Sequence, residues 1–165
     1  MKMAEQKQTK ALKEEKQASE RSTGKIVVVR VRGRVRLLTV IKNTLDMMRL
    51  YKTNYCVVLD NTSVNRGMIQ KAKDYVTWGE ADNSIIDELF AKRGIVYTGQ
   101  LTDSKKKINY KSRYVEYQGK KYSKFFKLNP PKKGYGRKGI KTTFTQGGGV
   151  GERADKINDL VRRMI

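Results

Sequence analysis

No histidine occurs anywhere in the 165 residues, and the only cysteine is Cys56. The first absence removes the commonest general acid-base group and metal ligand. The second excludes an internal disulfide and fits a reducing compartment. Acidic side chains are also scarce: 16 Asp and Glu stand against 37 Lys and Arg, for a formal net charge of +21. No apolar run approaches the roughly 20 residues that span a bilayer, and residues 1–23 lack the apolar centre of a secretory signal. An enzyme acting on nucleic acid would need an acid-base pair, a metal cluster or an activated nucleophile. The carboxylates are instead scattered as helix charges and caps, and Cys56 stands in an apolar strand, where a buried thiol is inert. No catalytic residue, metal or cofactor is therefore assigned.

A globule with this excess of cations repels itself and calls for a polyanion, nucleic acid or an anionic membrane surface. One domain with arms fits the length. Residues 1–24 hold six basic and four acidic residues with few large apolar ones, the pattern of an arm rather than a buried helix.

From Lys25 to Glu80 the pattern alternates without a break. Ile26-Val27-Val28-Val29-Arg30-Val31 is a β-branched strand. From Thr39, Ile41, Leu45 and Met48 recur at helical spacing. Tyr55 to Leu59 forms a second strand, stopped by Asp60-Asn61. Ser63 or Asn65 can cap a helix through about Lys73, and Tyr75 to Trp78 closes the βαβαβ unit, with Trp78 read as a core anchor. Such alternation alone predicts a parallel sheet. Asp82-Asn83-Ser84 offers caps for a helix over Ile85 to Arg93, ended by Gly94.

Two groups of cations stand out within this frame. Arg30, Arg32, Arg34 and Arg36 fall at every second position around Gly33, a spacing that in an extended chain turns four guanidiniums to one side and matches a row of phosphates. Arg66, in the first turn of the second helix, gains nothing from the helix dipole and suits a phosphate.

The second half carries most of the charge. Residues 103–141 hold 14 basic and two acidic residues, a net +12, interleaved with aromatics that can pack on riboses or bases. Phe125, Phe126 and Leu128 read as a further strand, ended by Pro130-Pro131. The run from Pro131 to Lys141, with Lys132, Lys133, Tyr135, Arg137, Lys138 and Lys141, is a glycine-rich loop expected to need a partner for order. Gly147-Gly148-Gly149 precedes a helix over about Arg153 to Met164 whose Ile157, Leu160, Val161 and Met164 form an apolar stripe. Glycines before a helix can cradle phosphate, but no Lys-Ser or Lys-Thr pair follows, so a backbone loop held against RNA is the better reading than a nucleotide pocket.

Several of these residues together resemble one family. Leu50 with Asn54 and Cys56-Val57-Val58, Arg66-Gly67-Met68, Asp74 to Gly79, Pro130-Pro131, Gly139-Ile140-Lys141, Phe144, Gln146-Gly147-Gly148, Gly151 and the ending Ile157-Asn158, Leu160, Arg162-Arg163-Met164 are similar to the large ribosomal subunit protein thirty family. The likeness is to its archaeal and eukaryotic form, whose eukaryotic members are also called protein seven. Tyr55 and Asn129 stand where members often carry histidine. The resemblance implies an α+β fold in place of the parallel one: a small antiparallel sheet with helices on one face, related to the ferredoxin-like fold, plus a basic extension and C-terminal helix. It divides the chain into an arm (1–24), a βαβαβ core with its following helix (25–94) and an RNA-binding extension with a C-terminal helix packed on the core (95–165). It also implies a non-enzymatic, cytoplasmic constituent of the large ribosomal subunit that binds ribosomal RNA near the 5S RNA, beside other ribosomal proteins. The residues expected to carry that binding are Arg30, Arg32, Arg34, Arg36, Arg66, Lys132, Lys133, Tyr135, Arg137, Lys138, Lys141 and Phe144. The alternative is a free-standing nucleic-acid-binding module.

Overall fold

The β-branched run after Lys25 forms the middle strand of the main sheet. In the computed structural model, residues 24–165 are described except Ser104, Lys106 and the side chain of Lys111; the N-terminal arm expected over 1–24 lies outside the described residues but for Gly24. The chain passes through β1 (Lys25–Arg30), α1 (Thr39–Met47), β2 (Tyr55–Asp60), α2 (Ser63–Lys71), β3 (Val76–Glu80), α3 (Asn83–Arg93), β4 (Tyr114–Tyr117), β5 (Lys120–Ser123), β6 (Phe126–Lys127), β7 (Gly151–Glu152) and α4 (Lys156–Met164). The main sheet has the order β6-β2-β1-β3-β7, and β4 and β5 form a separate hairpin.

The fold is α+β, and the way the chain returns to β1 explains why alternation misleads. After β1, the excursion through α1 comes back to the same end of the strand, where the Asn54 amide donates to the Arg30 carbonyl at 2.8 Å. β2 must therefore run antiparallel, and it does, from Val29↔Cys56 to Lys25↔Asp60. From the far end α2 carries the chain back, so β3 starts beside Arg30, with Arg30↔Val76 and Ile26↔Glu80. Thus β2-α2-β3 is a parallel crossover with β1 inserted between its strands, a split βαβ unit. The two-residue β7 adds in parallel to β3.

Because residues alternate across a strand, β1 sends Ile26 and Val28 to one face and Val27 and Val29 to the other. The first pair packs with Leu45, Met48 and Ile69 of the α1–α2 layer. The second packs with Ile85, Ile86, Leu89 and Phe90 of α3, with Phe126, and with Ile157, Leu160, Val161 and Met164 of α4. The two helices of the βαβαβ core thus share one face, as expected, and the later helices cover the other. Gly79 allows the second covering, since a Cβ there would lie 2.1 Å from the Ala154 carbonyl oxygen.

Several local expectations change. Thr62, not Ser63 or Asn65, caps α2, its hydroxyl accepting from the Asn65 amide, and the helix ends at Lys71. β3 begins at Val76 and runs on to Glu80. Asp82 is the residue before α3 but makes no side-chain cap bond. Trp78 packs on the α1–α2 cluster but is only partly buried, so it is not the enclosed anchor expected. The final helix starts at Lys156, because Arg153 is drawn inside and Ala154 turns through φ 45°. Cys56 is fully buried, which pushes its thiol pKa far up, in line with an inert thiol.

Arg30 is 0% exposed. Its guanidinium donates to the carbonyls of Leu50 (2.6 Å), Arg32 (2.9 Å), Gly33 (3.1 Å) and Tyr51 (3.3 Å). Replacing Arg30 with Met keeps the side-chain length and strands these acceptors, so the free protein is expected to lose roughly 3 kcal/mol of stability. Chemical denaturation without RNA measures it; an unchanged midpoint would return Arg30 to the surface.

Candidate nucleic-acid interface

The arginine comb does not form. β1 stops at Arg30, and Arg36 sits in a turn at φ 55°, so the extended geometry that would align four guanidiniums is missing. Arg30 is inside. Arg32, partly buried, lies over the Tyr75 ring, 4.8 Å from its centroid, and donates to the Asp74 carbonyl at 3.1 Å. Arg34 pairs with Asp46 at 2.6 Å. Of the four, Arg36 alone is exposed with no such tie among the described residues. Around it Val35 and Leu38 are 87% and 70% exposed, so this tip offers an apolar as well as a cationic surface, which the charge pattern alone did not reveal.

Arg66 stands exposed on α2, as expected, and its Nε donates to the Asn61 side-chain oxygen at 2.5 Å. That bond engages Nε, and no hydrogen bond or ion pair engages the outer nitrogens among the described residues.

The loop after Pro131 presents the densest free charge. Lys132, Lys133, Arg137, Lys138 and Lys141 are all exposed, and none enters an ion pair among the described residues. The loop, expected to depend on a partner for order, is hydrogen-bonded to α4 and to the glycine run. The Lys132 amide donates to the Arg163 carbonyl, and Arg163 Nη1 returns bonds to the carbonyls of Lys132 (3.1 Å) and Gly134 (3.3 Å). The Lys138 amide donates to the Gly147 carbonyl at 3.1 Å, tying the loop to the glycine run.

Tyr135 and Phe144 turn inward rather than out. The Tyr135 hydroxyl donates to the Asn54 side-chain oxygen, and its ring packs on the α3–α4 cluster; burial pushes its pKa up to about 12. Phe144 lies 4.3 Å below the Arg153 guanidinium. Arg153, 5% exposed, donates to the Thr77 hydroxyl at 2.9 Å and to the carbonyls of Tyr135 (2.9 Å) and Gly149 (3.1 Å). Burial, then the Arg163 charge, lowers its pKa to about 10, so the cation persists at neutral pH. This arginine joins sheet, loop and glycine run, and in the sequence it read only as the start of a helix.

The glycine run is a packing device. Gly148 meets Thr142, where a Cβ would stand 2.1 Å from the carbonyl oxygen, and a Cβ on Gly136 would stand 2.6 and 2.8 Å from the carbonyl oxygens of Gly148 and Gly147. These glycines let backbone touch backbone beside the exposed lysines.

The sheet fold and its excess of exposed cations define a basic α+β protein suited to a polyanionic partner. A family model described as ribosomal protein L30p/L7e matches residues 26–76. The large ribosomal subunit protein uL30 of Nanoarchaeum equitans is 43% identical over 150 residues, 84% of this chain and 97% of the relative. Those of Methanopyrus kandleri and Methanococcus maripaludis are each 37% identical, over 82% and 84% of this chain and 100% and 97% of their own. The chain belongs to the L30p/L7e family of ribosomal proteins.

Gly148→Ala tests the packing role. The added methyl must displace backbone rather than a flexible side chain, so the variant is expected to lose roughly 1 to 3 kcal/mol and to become sensitive to protease between Lys132 and Lys141. A variant as resistant as the parent would show that the loop does not depend on this packing.

Proposed function

We propose that the protein is a structural constituent of the large ribosomal subunit in the cytoplasm, where it binds and stabilises folded ribosomal RNA without catalysing a reaction. The observation that carries this reading is the near full-length likeness to uL30 proteins, joined to a loop that presents five cations with no ion-pair partner among the described residues. Lys132, Lys133, Arg137, Lys138 and Lys141 neutralise phosphates. Arg66 contacts a phosphate from the other face of the sheet, and Arg36 does so at the tip. Arg32 and Arg34 act less directly, since each already has a protein partner. Arg30, Tyr135 and Phe144 hold the shape that positions the others. Neighbouring ribosomal proteins complete the setting, and the 5S RNA region is the place the family likeness suggests.

Binding to phosphate has a salt signature. Each neutralised phosphate releases counterions, so affinity for large-subunit ribosomal RNA falls steeply with salt. Changing the five loop cations to Ala is expected to leave melting of the free protein nearly unchanged, since exposed substitutions cost little. The same change reduces the slope of log affinity against log salt by about 0.7 to 0.9 for each phosphate no longer neutralised. An unchanged slope would remove the loop from the interface. Equal affinity for an unrelated RNA duplex would favour a free-standing nucleic-acid-binding module.

A further inference from the structure

Beside α2 the main sheet leaves part of one face open. Trp78 and Glu80 lie two residues apart on β3 and therefore point to the same side. Glu152 joins them, because β7 pairs in parallel with Trp78↔Glu152 in register. Across from them the helix contributes Arg66 and Gln70, four residues apart on one face, with Ile69 buried between. Together these line a cleft of about 180 Å³. Its wall is the only tryptophan of the chain, partly exposed.

Glu80 and Glu152 are both exposed, and neither has an ion-pair partner among the described residues; what sets them apart is that both line one cleft beside an indole. Two free acceptors beside an indole do not suit a phosphate. They suit donors on a flat ring. Guanine alone among the RNA bases places an N1–H beside an N2 amino group on its Watson–Crick edge, a pair that one carboxylate accepts in fork geometry. Single-stranded RNA is read in this way, by stacking on an aromatic side chain with hydrogen bonds to the exposed edge.

We propose that this cleft takes one unpaired guanine of the bound RNA, stacked on Trp78. Glu80 or Glu152 accepts from its N1–H and N2 amino group, and Arg66 holds its phosphate. The proposal rests on the ribosomal RNA-binding reading and adds to it a base-specific site. A lysine or arginine of a neighbouring protein would also find an indole and two carboxylates attractive, but Arg66 on the same rim offers a phosphate a partner that a protein cation has no use for.

The lone tryptophan makes the site directly observable. The full chain is titrated with large-subunit ribosomal RNA while Trp78 emission is recorded, and the complex is then probed with kethoxal, which modifies free guanine N1 and N2. The expected result is quenching of Trp78 together with protection of one unpaired guanine. Glu80→Gln with Glu152→Gln should keep the fold and the quenching but re-expose that guanine. Trp78→Leu should weaken RNA affinity roughly tenfold, with a melting curve of the free variant to separate binding from folding. Binding without quenching, or the same guanine protection in parent and double variant, overturns the cleft while leaving the ribosomal reading intact. Quenching by an arginine-rich peptide but not by the RNA would assign the cleft to a protein cation and also overturn it. Failure of the parent to bind the RNA at all would overturn both readings.

Discussion

Everything in this fold depends on β1 being buried on both sides. Val27, Val28 and Val29 are each 0% exposed, and alternation sends them to opposite faces, so a single helical layer would leave half of them in water. The βαβαβ unit supplies one layer from nearby sequence. The other must come from far along the chain, from α3, Phe126, Leu128 and the stripe of α4. Large apolar side chains fully buried in this way contribute about 1.5 to 3 kcal/mol each. The four on α4 alone are therefore a large term for a protein of marginal net stability. The basic second half is a layer of the core as well as a carrier of charge.

Two guanidiniums, one on each face of the sheet, close the core where apolar packing cannot. Arg30 and Arg153 are buried, and both give their hydrogen bonds to carbonyl or hydroxyl oxygens rather than to a carboxylate. Arg30 closes the turn after β1 onto the 50–51 segment, and Arg153 gathers Thr77, Tyr135 and Gly149. A planar fork with five donors can satisfy several carbonyls at once, which an ammonium cannot do with the same rigidity. Charge count therefore maps poorly onto the interface, since some cations serve the polypeptide's own acceptors.

What the sequence made legible follows the same division. Local periodicity located the three core strands, α1, α2 and α3, and the stripe of α4, because each has its own apolar pattern. The strand directions followed from the family resemblance and not from alternation, since direction is set by where a loop returns. The comb of Arg30, Arg32, Arg34 and Arg36 failed for a related reason: spacing of two gives one face only while the chain stays extended, and nothing in the residue types marked Arg30 as the last strand residue. The β4–β5 hairpin was hidden as well. Its Tyr117 stacks on Phe90 at 4.2 Å between ring centres, and Tyr122 packs beside it at 5.3 Å, tertiary packing that no local pattern in residues 95–122 announces.

The loop from Pro131 to Val150 shows how a charged segment can be tied to its own fold. A flexible basic tail binds any polyanion and loses conformational entropy as it does so. Here the close backbone approaches at Gly136 and Gly148, the Arg163 bonds to the Lys132 and Gly134 carbonyls and the Arg153 junction tie the main chain to the rest of the fold. The lysine stems still move, but their attachment points do not. A fixed set of cations fits only phosphates arranged to match, so order within the protein favours a folded RNA over an unstructured one of equal charge. Replacing the glycines by larger residues would leave every positive charge in place and remove that preference.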